Sequence, residues 1–125
     1  MIKNILLVGA FGFIGSVCRY LVYVWFSSRH FGNFPWATLA VNVLGCLLIG
    51  VIGTLVEKSI PNYQNLYLIA SVGFLGAFTT FSTFGFETLN LIRFENLILA
   101  LANVAANIII GILAVYAGRN LANLF

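Results

Sequence analysis

Residues 73–84 read Gly-Phe-Leu-Gly-Ala-Phe-Thr-Thr-Phe-Ser-Thr-Phe and place four hydroxyls, Thr79, Thr80, Ser82 and Thr83, within five positions of an otherwise apolar stretch. Gly and Thr both resist helical order, and a hydroxyl can take over a hydrogen bond that a broken helix frees. The pattern predicts a membrane helix interrupted here, and irregular backbone at membrane depth survives only inside protein or beside a water-filled cavity. Discontinuous transmembrane helices expose carbonyls and amides to a permeant species. The chemistry on offer is therefore coordination of an ion or small substrate.

Other residues could share that work. Thr38, Asn42 and Gly45 fall at i, i+4 and i+7, and Asn103, Asn107 and Gly111 at i, i+4 and i+8. Each set makes one polar or small face on an apolar helix. Such asparagines either glue helices together or line a conduit, where an amide donor holds an anion without a formal charge. Phe81 and Phe84 lie at i, i+3, so they share a face if the chain is helical after the break, and the positive edge of an aromatic ring can turn toward an anion. Glu87 and Arg19 are ionisable groups inside apolar spans, which makes both functional candidates. Glu87 is either a proton site or a hydrogen-bonded structural group. Arg19 lines a vestibule or pairs with a glutamate or a helix end.

Composition narrows the class. The 125 residues are 62% hydrophobic and 7% charged, far below the share of about a quarter usual in soluble chains. This is an integral membrane protein, and its net charge of +3 is too dispersed for a nucleic-acid surface. Catalytic sets are missing: the single histidine, His30, falls in a loop, no paired carboxylates share a face, and Cys18 and Cys46 lack metal-ligand spacing. The cysteines read as small buried hydrophobes, and no enzyme is expected.

The elements that must position these residues are membrane helices. A span needs about 20 mainly apolar residues, and four fit in one domain covering 1–125, at approximately 4–26, 36–56, 66–91 and 96–118. The first is too long for a signal-peptide core and is kept as a permanent helix. Segments 27–35 and 57–62 combine charge, proline and turn formers, and the short 93–96 break makes spans three and four antiparallel neighbours. Trp25, Trp36, Tyr63 and Tyr67 lie near span ends, as an interfacial belt requires. With both termini on one side, Lys3, Lys58 and Arg119 face that side while Arg29 and Arg93 face the other. So even a balance permits insertion in both orientations and an antiparallel dimer, or one weakly specified orientation. Gly9, Gly12 and Gly15 form a flat stripe for close helix contact.

Three blocks resemble one known family. They are Gly76-Ala77-Phe78-Thr79-Thr80-Phe81-Ser82-Thr83-Phe84, Thr38-Leu39-Ala40-Val41-Asn42-Val43-Leu44-Gly45 and Gly12-Phe13-Ile14-Gly15-Ser16-Val17-Cys18-Arg19-Tyr20. They look like the signature blocks of the CrcB or Fluc family of fluoride channels, in order and over essentially the whole chain. The resemblance implies an all-α membrane protein of four helices, the third broken in mid-membrane, assembled as a dual-topology antiparallel homodimer with two fluoride pores. It implies pore residues Asn42, Phe81 and Phe84, a polar track with Thr38, Ser82 and Thr83, and Arg19 near a vestibule. It also implies a structural sodium ion at the dimer centre, held by the backbone carbonyls of Gly76 and Thr79. Asn103 and Asn107 stand where many members carry tyrosine and serine on span four. The implied function is passive export of fluoride across the inner (plasma) membrane to relieve its toxicity. The alternative is a small multidrug-type proton-coupled exporter, whose usual first-span glutamate is missing here, so that Glu87 would have to serve.

Overall fold

The computed structural model describes residues 1–29, 31–58, 67–94 and 96–124, so His30, the 59–66 connection with Tyr63 and the start of span three, and Glu95 lie outside the described residues. Helices α1 (Ile2–Ser27) and α2 (Trp36–Lys58) come first. A π-helical segment, Ile69–Leu75, leads into the single turn α3 (Gly76–Phe78), followed by α4 (Phe81–Arg93) and α5 (Leu97–Ala122). Among the described residues four helical stretches are long and apolar enough to cross a membrane: Ile2–Ser27, Trp36–Lys58, Ile69–Arg93 and Leu97–Ala122. The chain is a multi-pass, all-helical membrane protein.

Two parallel pairs build the bundle. Val8, Gly12, Gly15 and Arg19 of α1 meet Gly73, Phe74 and Thr79 in rising order, so α1 and the third span run the same way. Lys58 donates to the Ala122 carbonyl at 3.1 Å and Arg119 lies 3.2 Å from Glu57, which brings the C-terminal ends of α2 and α5 together. The alternation up, down, up, down follows. The Arg119–Glu57 pair is exposed on both sides, so its weight in stability is small. At the opposite end Trp25 stacks on Phe31 and carries the Arg29 guanidinium 4.0 Å from its ring centroid, while Trp36 Nε1 donates to the Phe31 carbonyl.

Packing depends on small residues, because lipid tails are as apolar as the side chains and supply no hydrophobic drive between helices. Gly12 and Gly15 of the expected stripe press on span three, where a Cβ at Gly15 would run into the Phe74 carbonyl, whereas Gly9 faces open space. The most extensive contact, α2 on α5, is built the same way: a Cβ on Gly50 would strike the Val115 carbonyl, and one on Gly118 the Leu47 carbonyl. Large apolar side chains such as Phe13, Ile98 and Ile112 point outward, and the largest fully buried side chains are Val41, Asn103 and Thr38, two of them polar. This is the polarity expected of a bundle whose solvent is hydrocarbon.

Gly50→Val should cost about 2 kcal/mol or more through overpacking against backbone. Gly53→Val, where nothing lies within 4 Å of the added carbon, serves as its control. Melting in detergent should separate the two; equal melting temperatures would contradict the close α2–α5 approach.

Candidate functional site

The third span changes conformation at Thr79 and Thr80. Thr79 has φ −86 and ψ 163, Thr80 has φ −152 and ψ 116, and both are extended between helical neighbours. The Thr79 N–H keeps its helical bond to the Leu75 carbonyl at 2.9 Å, but the Thr79 carbonyl and both backbone groups of Thr80 leave the helical pattern, and their bonds must be replaced. Three side chains do so. Asn42 bridges both sides of Thr80: its Oδ1 accepts from the Thr80 N–H at 3.0 Å and its Nδ2 donates to the Thr80 carbonyl at 3.3 Å. Arg19 donates from Nη1 to the Thr79 carbonyl at 3.2 Å, taking the helix end among the partners open to it. A cation there also meets the negative end of the preceding turns. The Thr80 hydroxyl is the N-cap of α4, accepting from the Thr83 N–H at 3.2 Å while donating to Thr83 Oγ1 at 3.0 Å. Ser82 Oγ lies 3.4 Å from it.

Thr79 itself faces α2. Its methyl sits where a Cβ on Gly45 would be, so only glycine at 45 lets the extended pair approach α2 this closely. Its hydroxyl donates to the Leu75 carbonyl at 2.9 Å.

A groove of about 430 Å³ opens along this break, lined by Gly76, Thr79, Thr80, Phe81 and Phe84 from span three and by Asn42 and Asn107 from α2 and α5. Phe81 and Phe84 share its wall with ring centroids 5.6 Å apart and planes tilted by 49°. Phe81 is 83% exposed and Gly76 and Ser82 are exposed as well, so this side of the single chain is uncovered.

Three candidates lie elsewhere. Thr38 is fully buried and bonds Tyr23 through hydroxyl oxygens 2.6 Å apart. Asn103 is also fully buried, its Nδ2 donating to Thr88 Oγ1 at 2.9 Å. Glu87 belongs to the other end of the molecule, between a cavity of about 510 Å³ shared with Asn33, Asn90 and Asn96 and one of about 340 Å³ shared with Tyr23 and Arg29. Its Oε2 is buried without a hydrogen-bond partner among the described residues.

Sequence reading passed over Tyr23 and Thr88. Tyr23 stands one turn beyond Arg19 and Thr88 one turn beyond Phe84, so helical spacing from the chosen residues would have found both. The described residues contain no group of three or more His, Cys, Asp or Glu able to hold a metal. With Thr80 N–H turned to Asn42, the Gly76 carbonyl loses its helical donor, and the Thr79 carbonyl keeps one lone pair beyond the Arg19 bond.

Four apolar crossings enclosing neutral amides, hydroxyls and a freed backbone define a small polytopic membrane protein with an open, mainly apolar groove at the break that carries a few polar groups. The chain belongs to the CrcB family: residues 6–119 match the family described as CrcB-like protein, Camphor Resistance (CrcB). It is similar to proteins named fluoride-specific ion channel FluC. That of Agrobacterium fabrum is 43% identical over 123 residues, 98% of each chain. That of Elusimicrobium minutum is 45% identical over 121 residues, 94% of this chain and 92% of the relative, and that of Clostridium perfringens 38% over 119 residues, 95% and 93%.

Thr80→Val keeps the shape and removes the cap, so it should lower stability by about 1 kcal/mol, and Thr80→Ser should restore it. Melting temperatures of the two variants check this; a loss in Thr80→Ser with none in Thr80→Val would point to the methyl and not the cap.

Proposed function

We propose that the chain is a fluoride-selective passive ion channel of the inner (plasma) membrane that exports fluoride and relieves its toxicity. The observation that carries the reading is identity of 43% over 98% of both chains with a relative named for fluoride-specific conduction. Relatives named as channels set aside proton-coupled drug export through Glu87, and conduction is transport, not catalysis.

The site chemistry supports it. Fluoride is small and strongly hydrated, so a passive pore must replace part of its water shell while leaving it free to depart. Hydroxyls of Ser82 and Thr83 and the edges of Phe81 and Phe84 offer several weak contacts in place of one strong charge. Thr38, Asn42, Asn103 and Asn107 belong to the polar lining or its supports, with Arg19 near a vestibule. Net movement follows the electrochemical gradient. Fluoride gathers in a neutral cytoplasm because hydrogen fluoride crosses the bilayer and dissociates there, so the gradient drives export.

We further propose that the third helix is broken in mid-membrane and that two copies assemble antiparallel, giving two pores. Support comes from the uncovered side carrying Phe81, Ser82 and Gly76 and from the even spread of basic residues, with Lys58 and Arg119 at one end and Arg29 at the other. The carbonyls of Gly76 and Thr79 fit a sodium ion at the two-fold axis, where two copies would supply neutral oxygens to a hard cation. When bound, that ion supplies fixed positive potential without a lysine in the pore.

Vesicles holding the purified protein, loaded with fluoride or chloride and given potassium with valinomycin to carry charge, test the proposal. Release of fluoride but not chloride, dependent on the ionophore, is the expected result. Phe81→Ile and Phe84→Ile should abolish release in folded protein. Unchanged release from both variants would remove the phenylalanines from the pathway, and no release from wild type would overturn the channel reading.

A further inference from the structure

The Asn42 amide, a natural donor to an anion, has nothing left to donate. One Nδ2 hydrogen goes to the Thr80 carbonyl and the other to Asn107 Oδ1 at 2.9 Å, while Oδ1 accepts from the Thr80 N–H. An amide has two donor hydrogens. Both are used within the protein.

The bonds continue beyond Asn42. Asn107 Nδ2 reaches the carbonyl and the Oδ1 of Asn103, each at 3.0 Å. Asn103 Nδ2 donates to Thr88 Oγ1 at 2.9 Å, and the Thr88 hydroxyl donates to the Phe84 carbonyl at 2.7 Å. The series runs from Thr80 through α2 and α5 and returns to α4 at Phe84.

Its direction is set at both ends by groups that cannot reverse. The Thr80 N–H can only donate, so Asn42 must turn Oδ1 toward it and Nδ2 toward Asn107, which answers with Oδ1. The Phe84 carbonyl can only accept, so the Thr88 hydroxyl spends its hydrogen there and its oxygen faces Asn103 Nδ2. Asn103 Oδ1 is left for Asn107 Nδ2. Both ends impose the same orientation on the central amide, and each amide locks the next. Asn103, with no exposed surface, cannot exchange its partners for water.

We infer that Asn42, Asn107, Asn103 and Thr88 form one relay of fixed polarity that fixes α2 and α5 against the break and the first turns of α4. On this inference, which rests on the channel reading, Asn107, Asn103 and Thr88 are positioning residues and not fluoride ligands. They keep the broken backbone and the aromatic wall in register. The free donors along the pathway are hydroxyls and ring edges. Thr88, outside the groove, matters as much as Asn107, which lines it.

The test compares fluoride release from vesicles carrying wild type, Thr88→Val, Thr88→Ser, Asn107→Leu and the Thr88→Val, Asn107→Leu double variant. Breaking the series should slow release about tenfold for Thr88→Val and for Asn107→Leu, and the double variant should be no slower than Asn107→Leu alone. Thr88→Ser, which keeps the hydroxyl, should match wild type. Wild-type release from Thr88→Val, an equal loss from Thr88→Ser and Thr88→Val, or a double-variant slowing of about a hundredfold would overturn the relay. If Asn107→Leu does not fold, the order of valine and serine at 88 decides alone. Wild-type protein that releases no fluoride sinks the channel reading and not the relay, which the same variants then test by the coupling of their melting temperatures.

Discussion

Two residues of extended backbone near the middle of a 25-residue membrane span set the terms for the rest of the molecule. Hydrocarbon offers no hydrogen bonds, and each backbone group left without a partner there costs several kcal/mol. Thr79 and Thr80 are tolerable because Asn42, Arg19 and the Thr80 hydroxyl supply partners from three directions. Each partner then makes demands of its own. Asn42 can reach Thr80 only if α2 passes close to the break, and α2 can pass close only because residue 45 has no side chain to meet the Thr79 methyl. The glycines where α1 meets the third span serve the same end.

The same constraint explains how a bundle with few charges is suited to handle an ion. Arg19 is committed to the Thr79 carbonyl and Glu87 lies away from the groove, so none of the residues that line the groove carries a full charge. A small anion near Phe81 and Phe84 meets dipoles and quadrupoles, each weak and none able to trap it. Rigidity supplies what strength does not. A hydroxyl or ring edge held in place by bonded neighbours costs little reorganisation when an ion arrives, and the amide series behind Asn42 provides that hold.

Much of this could be read from the sequence. Hydropathy alone marks four membrane helices, because nothing but a span needs so long an apolar run. The crowding of hydroxyls after Gly73 and Gly76 points to the stretch where the backbone leaves the helix, and i, i+4 spacing puts Asn103 and Asn107 on one face. Other features depend on partners that spacing does not name. Asn42 reads as an anion donor until its neighbours are known, and only the approach of α2 to both the third span and α5 shows both hydrogens taken. Thr38 reads as part of a polar track and is bonded to Tyr23. The π-helical turn before Gly76 leaves no trace in composition, and within it Gly73 packs closely on Val8 and Phe11. Thr88 was silent because a hydroxyl near a span end is ordinary until an asparagine from another helix reaches it.

The most direct measurement is the reversal potential of current through the protein in a planar bilayer, with a fluoride gradient imposed across equal chloride on both sides. A fluoride-selective channel predicts reversal at the fluoride equilibrium potential, moving with the fluoride gradient and insensitive to added chloride. Reversal at zero under a fluoride gradient, or a shift with chloride, would contradict the claim that this broken helix and its neutral groove conduct fluoride alone.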